Sequence, residues 1–325
     1  GAEGAEGAKG AIARLKFRVP VRDLLPPLAE YATLQHGDER HTVGYTEASR
    51  GCKHRCRHCP IVPVYDGRFR IVAADVVVAD ARAQVDAGAR HITFGDPDFF
   101  NGIRHAREVI ERFARDCPDV TYDVTIKVEH LLNHADALPL LRATGCAFVT
   151  SAVESLDDTV LARLEKGHTR RDFERVVSLC RDAGLPLSPT FVAFTPWTTI
   201  PGYLELLHEI DRLELVEHVA PIQYAIRLLI PQRSRMLELA DVMRIAGPFD
   251  PLSLTHPWKH PDPRVDALQE SIGRLVGVRM NASRRDVFER VWTAAHAFAS
   301  AVAPARTQPV IARATVPYLN EPWYC

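Results

Sequence analysis

The sequence predicts an α/β protein, a parallel sheet of six β/α units curved into a full or partial TIM-like barrel and followed by a helical extension. Three observations carry this. Short β-rich runs alternate with stretches of helical period from about Val43 to Ile230. Two of the helical stretches stop at Gly88 and Gly184, where a left-handed residue ends a helix. Strands separated by helices pair in parallel through right-handed crossovers.

In order, "TVGYTEA" (42–48) reads as strand, "AADVVVADARAQVDAGA" as helix, "RHITFG" (90–95) as strand and "GIRHAREVIERFARDC" as helix. The cycle continues with a strand at 119–128, a helix through Leu141 and a strand at 146–153. Two helices, "LDDTVLARLEK" and "RRDFERVVSLCRDAG", precede a strand at 185–194. "GYLELLHEIDRL" reads as helix and 216–226 as the sixth strand. Beyond Pro231 a proline-rich aromatic loop leads to two amphipathic helices, "RVDALQESIGRLVG" and "RRDVFERVWTAAHAFASAV". The division expected is a flexible tail at 1–15, the barrel at 16–231 and an extension at 232–325.

At 325 residues, 46% hydrophobic and 25% charged, the chain can bury a full core. Forty Lys+Arg against 41 Asp+Glu give a net charge of −1, which argues for no nucleic-acid or anionic-membrane partner and for a small or modular substrate. No run reaches the 18 apolar residues of a membrane span, and a cytoplasmic location is expected. Seven cysteines, an odd number, fit a reduced compartment. Cys146 and Cys180 lie in apolar surroundings and read as core.

Three of the seven lie in "GCKHRCRHC" (51–59), directly after the first strand, and the carboxyl ends of strands are where barrels of this type place their chemistry. Two readings compete. Zinc wants four ligands in a structural site, with His54 or His58 as the last, but a distant second pair of ligands is missing. A cubane cluster can take three thiolates and leave its fourth iron open to an exchangeable ligand.

The spacing C-x3-C-x2-C after the first strand resembles the radical S-adenosylmethionine (SAM) superfamily, over roughly Thr42 to Ile230. The resemblance implies a partial (β/α)6 barrel in which Cys52, Cys56 and Cys59 hold a 4Fe-4S cluster. SAM then chelates the open iron and is cleaved by one electron, most often to a 5′-deoxyadenosyl radical that abstracts hydrogen from a small-molecule substrate. It also implies a reducing partner such as flavodoxin or ferredoxin, which Lys53, Arg55 and Arg57 would attract. His58 stands where the family has an aromatic residue against the adenine.

"TFGDPDFFNG" (93–102) resembles the family's G-G-E-P segment, placing Gly95, Asp96 and Pro97 on the SAM ammonium, with Asp98 beside them; on the residues alone the segment reads as a turn and helix cap. "SAVESLDDTVLARLEKGHT" (151–169) resembles the E-S and K-G-H-T stretch of methylthiotransferase-like and cobalamin-dependent members. It implies Glu154 on the ribose or methionine part and Lys166 on the SAM carboxylate, against the alternative of an ion pair. "FTPWTT" is the counterpart of the adenine segment and brings in Phe194 and Thr195.

Side-chain alternation sets Asp123, Thr125 and Lys127 on one face of the third strand. Lys127 and Glu129 at its end, with Tyr224 and Arg227 on the sixth strand, are substrate or catalytic candidates. "VPYLNEPWYC" (316–325) resembles the CUAEP/CCAEP-tail radical SAM proteins, which implies a soft, nucleophilic role for Cys325. Such a tail suits the other SAM cleavage, transfer of a 3-amino-3-carboxypropyl group to a soft acceptor.

Overall fold

The computed structural model describes residues 15–277, 283–300 and 316–320. Nine strands are present among them: β1 (Thr33–His36), β2 (Glu39–Thr46), β3 (Ser49–Gly51), β4 (Phe69–Ile71), β5 (His91–Phe94), β6 (Thr121–Thr125), β7 (Cys146–Glu154), β8 (Leu187–Phe191) and β9 (Tyr318–Asn320). Seven form one open sheet in the order β8-β7-β6-β5-β2-β1-β9, while β3 and β4 pair by themselves. The run from β2 to β8 is parallel throughout, with a helix or two in each crossover, and gives the curled half-barrel that the alternation predicts.

The helices lie where their periodicity puts them: Ala74–Asp86, Ile103–Asp116, Asp158–Leu164, Arg170–Asp182 and Ile200–Arg212 in the barrel, then Pro263–Gly277 and Arg284–Phe298. Local chemistry fixes their ends. Thr169 and Asp172 close a capping box, and the Thr199 hydroxyl accepts from Gly202 N at 3.1 Å. Gly88 and Gly184 follow helices with φ of +103° and +64°, conformations that favour glycine. The helix after β6 is broken into Val128–Asn133 and Leu138–Ala143, the second with Pro139 in its first turn, where no backbone donor is required.

Two departures from expectation have plain causes. The sixth strand, expected at 216–226, is a 3-10 turn at Pro221–Tyr224. Pro221 has no N–H for a ladder, and Gln223 N and Ala225 N donate back to Ala220 O and Ile222 O at 2.9 and 3.0 Å. What remains of it is a single parallel bridge between Phe194 and Arg227. The second departure is the edge. β2 begins earlier than expected because its first half pairs with β1 through the two-residue turn Gly37-Asp38, and β1 pairs in turn with β9. Both pairings are antiparallel, so β9 runs in the same sense as β2.

Alternation divides the sheet into two chemistries. Ile92, Phe94, Tyr122 and Val124 are 0–1% exposed, and Phe94 and Tyr122 meet Phe113 of the outer helix edge to face. The opposite face carries His91, Thr93, Thr121 and Asp123. There Asp123 Oδ1 lies 2.6 Å from the donating Thr93 hydroxyl and 2.9 Å from His91 Nε2, while His91 Nδ1 meets Thr121 Oγ1 at 2.7 Å. This network consumes the Asp123 carboxylate at the amino end of the barrel. Cys146 and Cys180 are buried as expected, and burial pushes the Cys180 thiol up to about 12.

Candidate active site

The chain leaves β2 at Thr46 and enters the loop that carries the three thiols. Its shape is set from a neighbouring strand end: Asp96, just after β5, accepts from Ala48 N at 2.8 Å and from Ser49 Oγ at 2.6 Å. The Asp96 carboxyl is 2% exposed, and burial raises it from the ordinary 3.8 to about 7. Farther along, Asn101 Oδ1 accepts from Lys53 N at 3.2 Å and from the Cys52 thiol at 3.6 Å, and its amide donates to Gly51 O at 3.4 Å. Gly51, with φ of +85°, sits where a Cβ would meet Arg68 O at 2.4 Å, so only glycine fits between the loop and the β4 side.

The thiols are free, with Cys56 buried and Cys52 and Cys59 half-buried. Cys59 N donates to Cys56 O at 3.2 Å, closing a turn, and His54 N donates to Cys52 Sγ at 3.5 Å. Burial raises the Cys52 and Cys59 thiols. The nearby ammonium of Lys127 opposes this at Cys52, and that of Lys166 at Cys59.

Behind Cys59 a chain of charge runs across the end of β7. Glu154 Oε1 accepts from Lys166 Nζ at 3.3 Å and faces His58 Nε2 at 3.1 Å. Burial would raise the Glu154 carboxyl, but the Lys166 charge and the His58 contacts outweigh it and hold the group down at about 2. Glu154 also has φ of +69°, a left-handed conformation at the strand end that turns its side chain into this chain. His168 lies beyond, 7% exposed and with neither ring nitrogen hydrogen-bonded; burial and the two lysines push it down to about 4.

On the Cys52 side, Lys127 Nζ donates to Glu129 Oε2 at 3.2 Å, and Lys127 N donates to Asp98 Oδ1 at 3.3 Å. His130 Nδ1 is 2.7 Å from Asp98 Oδ2, and His130 Nε2 is 3.2 Å from His54 Nε2. Three strand ends thus deliver a buried array of cations, carboxylates and imidazoles around three thiols.

Residues 46–199 match the model of the radical SAM superfamily. The chain carries a radical SAM domain. It is an enzyme, and the cofactors of that family are a 4Fe-4S cluster and SAM. Similar proteins include a tRNA-2-methylthio-N(6)-dimethylallyladenosine synthase of Chlorobium limicola, 25% identical over 58% of this chain and 42% of that one. Another is the ribosomal protein uS12 methylthiotransferase RimO of Roseobacter denitrificans, 28% identical over 63% and 46%. The chain thus spans less than half the length of these two relatives. Among solved structures, the cobalamin-dependent radical SAM enzyme OxsB with aqua-cobalamin and SAM bound has the same fold, at a TM-score of 0.60 and 14% identity over 78% of this chain and 46% of that one. No helix among the described residues is long and apolar enough to cross a membrane.

Within the radical SAM domain the structure gathers His58, Asp96, Asp98, Lys127, Glu129, Glu154 and Lys166 at the strand ends around the cysteine loop. It sets others apart. Gly95 is held by Tyr45: a Cβ there would meet Tyr45 Oη at 1.9 Å. Pro97 is half-buried beside it. Phe194 is fully buried and stacked on Tyr203 at 4.9 Å, so its ring is core, and Thr195 is tied into a turn with Thr198 at 3.1 Å. Tyr224 is 1% exposed and packs on Phe288 at 5.7 Å.

Arg227 pairs with Asp266 at 2.6 Å, donates to Trp258 O at 2.8 Å and covers the Trp258 ring at 3.6 Å; it ties the extension to the barrel. Arg57 is likewise engaged with Glu165 at 2.6 Å; of the exposed cations of the loop, Arg55 pairs with Asp66 at 2.9 Å and Lys53 stands beside it. Cys325 lies outside the described residues. The sequence singles out His54 only as a possible zinc ligand and gives no site role to Asn101, His130 or His168; polar type alone gives these no direction.

Proposed function

We propose that this chain is a radical SAM enzyme in which Cys52, Cys56 and Cys59 hold the cluster and Lys166, Glu154 and His58 receive SAM. The observation that supports it best is the loop itself: three free thiols on one loop, Cys56 buried and Cys52 and Cys59 half-buried, fixed by Asp96 and Asn101, with the ammonium groups of Lys127 and Lys166 on either side. Those cations offset the negative charge that a thiolate-bound cluster brings. When bound and reduced, the cluster supplies the single electron that breaks a sulfonium C–S bond of SAM.

The residues of the chain then have separate tasks. Lys166 offers a cation to the SAM carboxylate, and Glu154 holds that cation in place while His58 presents a flat face to the adenine. Asp96 has both oxygens on the loop, so its part is to position the cysteines. Lys127, Glu129 and His168 line the way to the substrate, and Lys53 and Arg55 face an acidic reductant such as flavodoxin or ferredoxin. A small molecule is the substrate of this reading.

Anaerobic reconstitution tests it. A brown protein with about four irons and four sulfides that turns SAM into 5′-deoxyadenosine supports hydrogen abstraction; a colourless protein with zinc on the three cysteines overturns it. A second reading, aminocarboxypropyl transfer to a soft acceptor near Cys325, is favoured by β9, which heads toward the same end of the sheet as the thiol loop. Methylthioadenosine as the product would support that reading.

A further inference from the structure

We propose that His54, Asp98 and His130 form a site for one divalent first-row transition ion, separate from the three thiols. The three come from different places, the thiol loop, the turn after β5 and the helix after β6, and their ligand atoms lie within 4.8 Å of one another. Asp98 and His130 are 0% and 2% exposed. Groups of this polarity are seldom brought together in an interior without something between them.

The geometry has room for that something. His54 Nε2 is 3.2 Å from His130 Nε2 and 3.9 Å from Asp98 Oδ2. Two ligands on a tetrahedral ion at about 2.0–2.1 Å would stand about 3.4 Å apart, inside this range. Asp98 Oδ2 and His130 Nδ1 make an ion-pair contact at 2.7 Å, but both are buried and neither makes an aligned hydrogen bond. An ion held by His54 Nε2, His130 Nε2 and Asp98 Oδ2 gives the buried carboxylate oxygen a cation and leaves His130 Nδ1 to its contact with Asp98.

The surroundings hold two of the ligands from behind. Asp98 Oδ1 takes the Lys127 N–H at 3.3 Å, and Glu129 Oε2 stands 3.7 Å from His54 Nδ1, the side away from the ion. Two imidazoles and a carboxylate suit zinc, ferrous iron or manganese better than calcium or magnesium. Three protein ligands leave a coordination position for water or a substrate heteroatom, beside Cys52.

The test uses the full chain with its cluster reconstituted anaerobically, freed of loose metal with a chelator and equilibrated with Zn2+. One zinc per chain is expected beyond the iron, with X-ray absorption at the zinc edge giving nitrogen and oxygen neighbours at about 2.0–2.1 Å and no sulfur at about 2.3 Å. His130→Ala, Asp98→Asn and the more exposed His54→Ala should each lose it, thermal unfolding confirming that the variants are folded. The triple variant Cys52→Ser, Cys56→Ser, Cys59→Ser should lose iron and keep zinc, so that failure of the cluster reading and failure of this one are told apart. A folded wild-type chain without zinc, zinc with sulfur neighbours, or zinc that survives both His130→Ala and Asp98→Asn overturns the proposal.

Discussion

Asp96 reaches from the end of β5 to Ser49 on the thiol loop, its Oδ1 accepting the hydroxyl proton at 2.6 Å while Oδ2 takes Ala48 N–H at 2.8 Å. One buried carboxyl thereby couples the second parallel strand to the segment that carries Cys52. Asp96→Asn keeps the shape but turns an amide donor toward one of two donors, which should weaken the chain by about 1–3 kcal/mol and lower the iron retained on reconstitution. Urea unfolding and iron analysis check the two effects.

The same carboxyl predicts a pH dependence. Its folded value, about 7, lies above the ordinary 3.8, so between those values the folded chain binds the extra proton. The contribution is therefore present at low pH and is lost as pH rises through about 4 to 7. Urea unfolding should find the stability gap between wild type and Asp96→Asn larger at pH 5 than at pH 8. An equal gap at both would mean that Asp96 is already ionised in the folded state.

How much of this was legible in the sequence follows from the kind of signal each part leaves. The helices and the parallel core strands were legible because apolar periodicity is local and the caps and stops lie beside it. The thiol loop was legible by spacing. The β1–β2 hairpin had its Gly37-Asp38 signal but a short, mostly polar strand before it, and β9 is three residues whose partner lies nearly 300 positions away. The sixth strand failed because Pro221 removes a donor that hydrophobicity does not register. Arg227 was chosen by position and charge, whereas its partners Asp266 and Trp258 come from a loop and helix that sequence could not dock.

Arg227 accordingly carries a prediction of its own. Arg227→Ala removes the ion pair, the hydrogen bond to Trp258 O and the stacking on the Trp258 ring, for a loss of about 1–3 kcal/mol. SAM binding, followed by equilibrium dialysis on the cluster-loaded protein, should hardly change. A large fall in SAM affinity with stability intact would return Arg227 to the site.

Gly95 and Tyr45 make a steric pair. Gly95→Ala drives a methyl into Tyr45 Oη, so the tyrosine must swing out; the single variant should be destabilised, and Tyr45→Ala in the same chain should recover most of the loss. A double-mutant cycle in urea gives the coupling. Additive losses would show that Gly95 is glycine for a reason other than Tyr45.

Glu154 and Lys166 give the sharpest case, because both are buried and each is the other's partner. Glu154→Gln leaves the Lys166 ammonium with no carboxylate at 3.3 Å, and breaking a buried pair from one side typically costs about 3–5 kcal/mol. The Glu154 carboxyl sits at about 2 in the folded chain against an ordinary 4.5, so its contribution is complete above pH 4.5 and is lost as pH falls toward 2. Unfolding measurements should therefore show the gap between wild type and Glu154→Gln narrowing from pH 7 to pH 3. Lys166→Met offers the complementary check: it should abolish SAM binding and release the Glu154 carboxyl to titrate well above 2, since burial then acts unopposed by that charge.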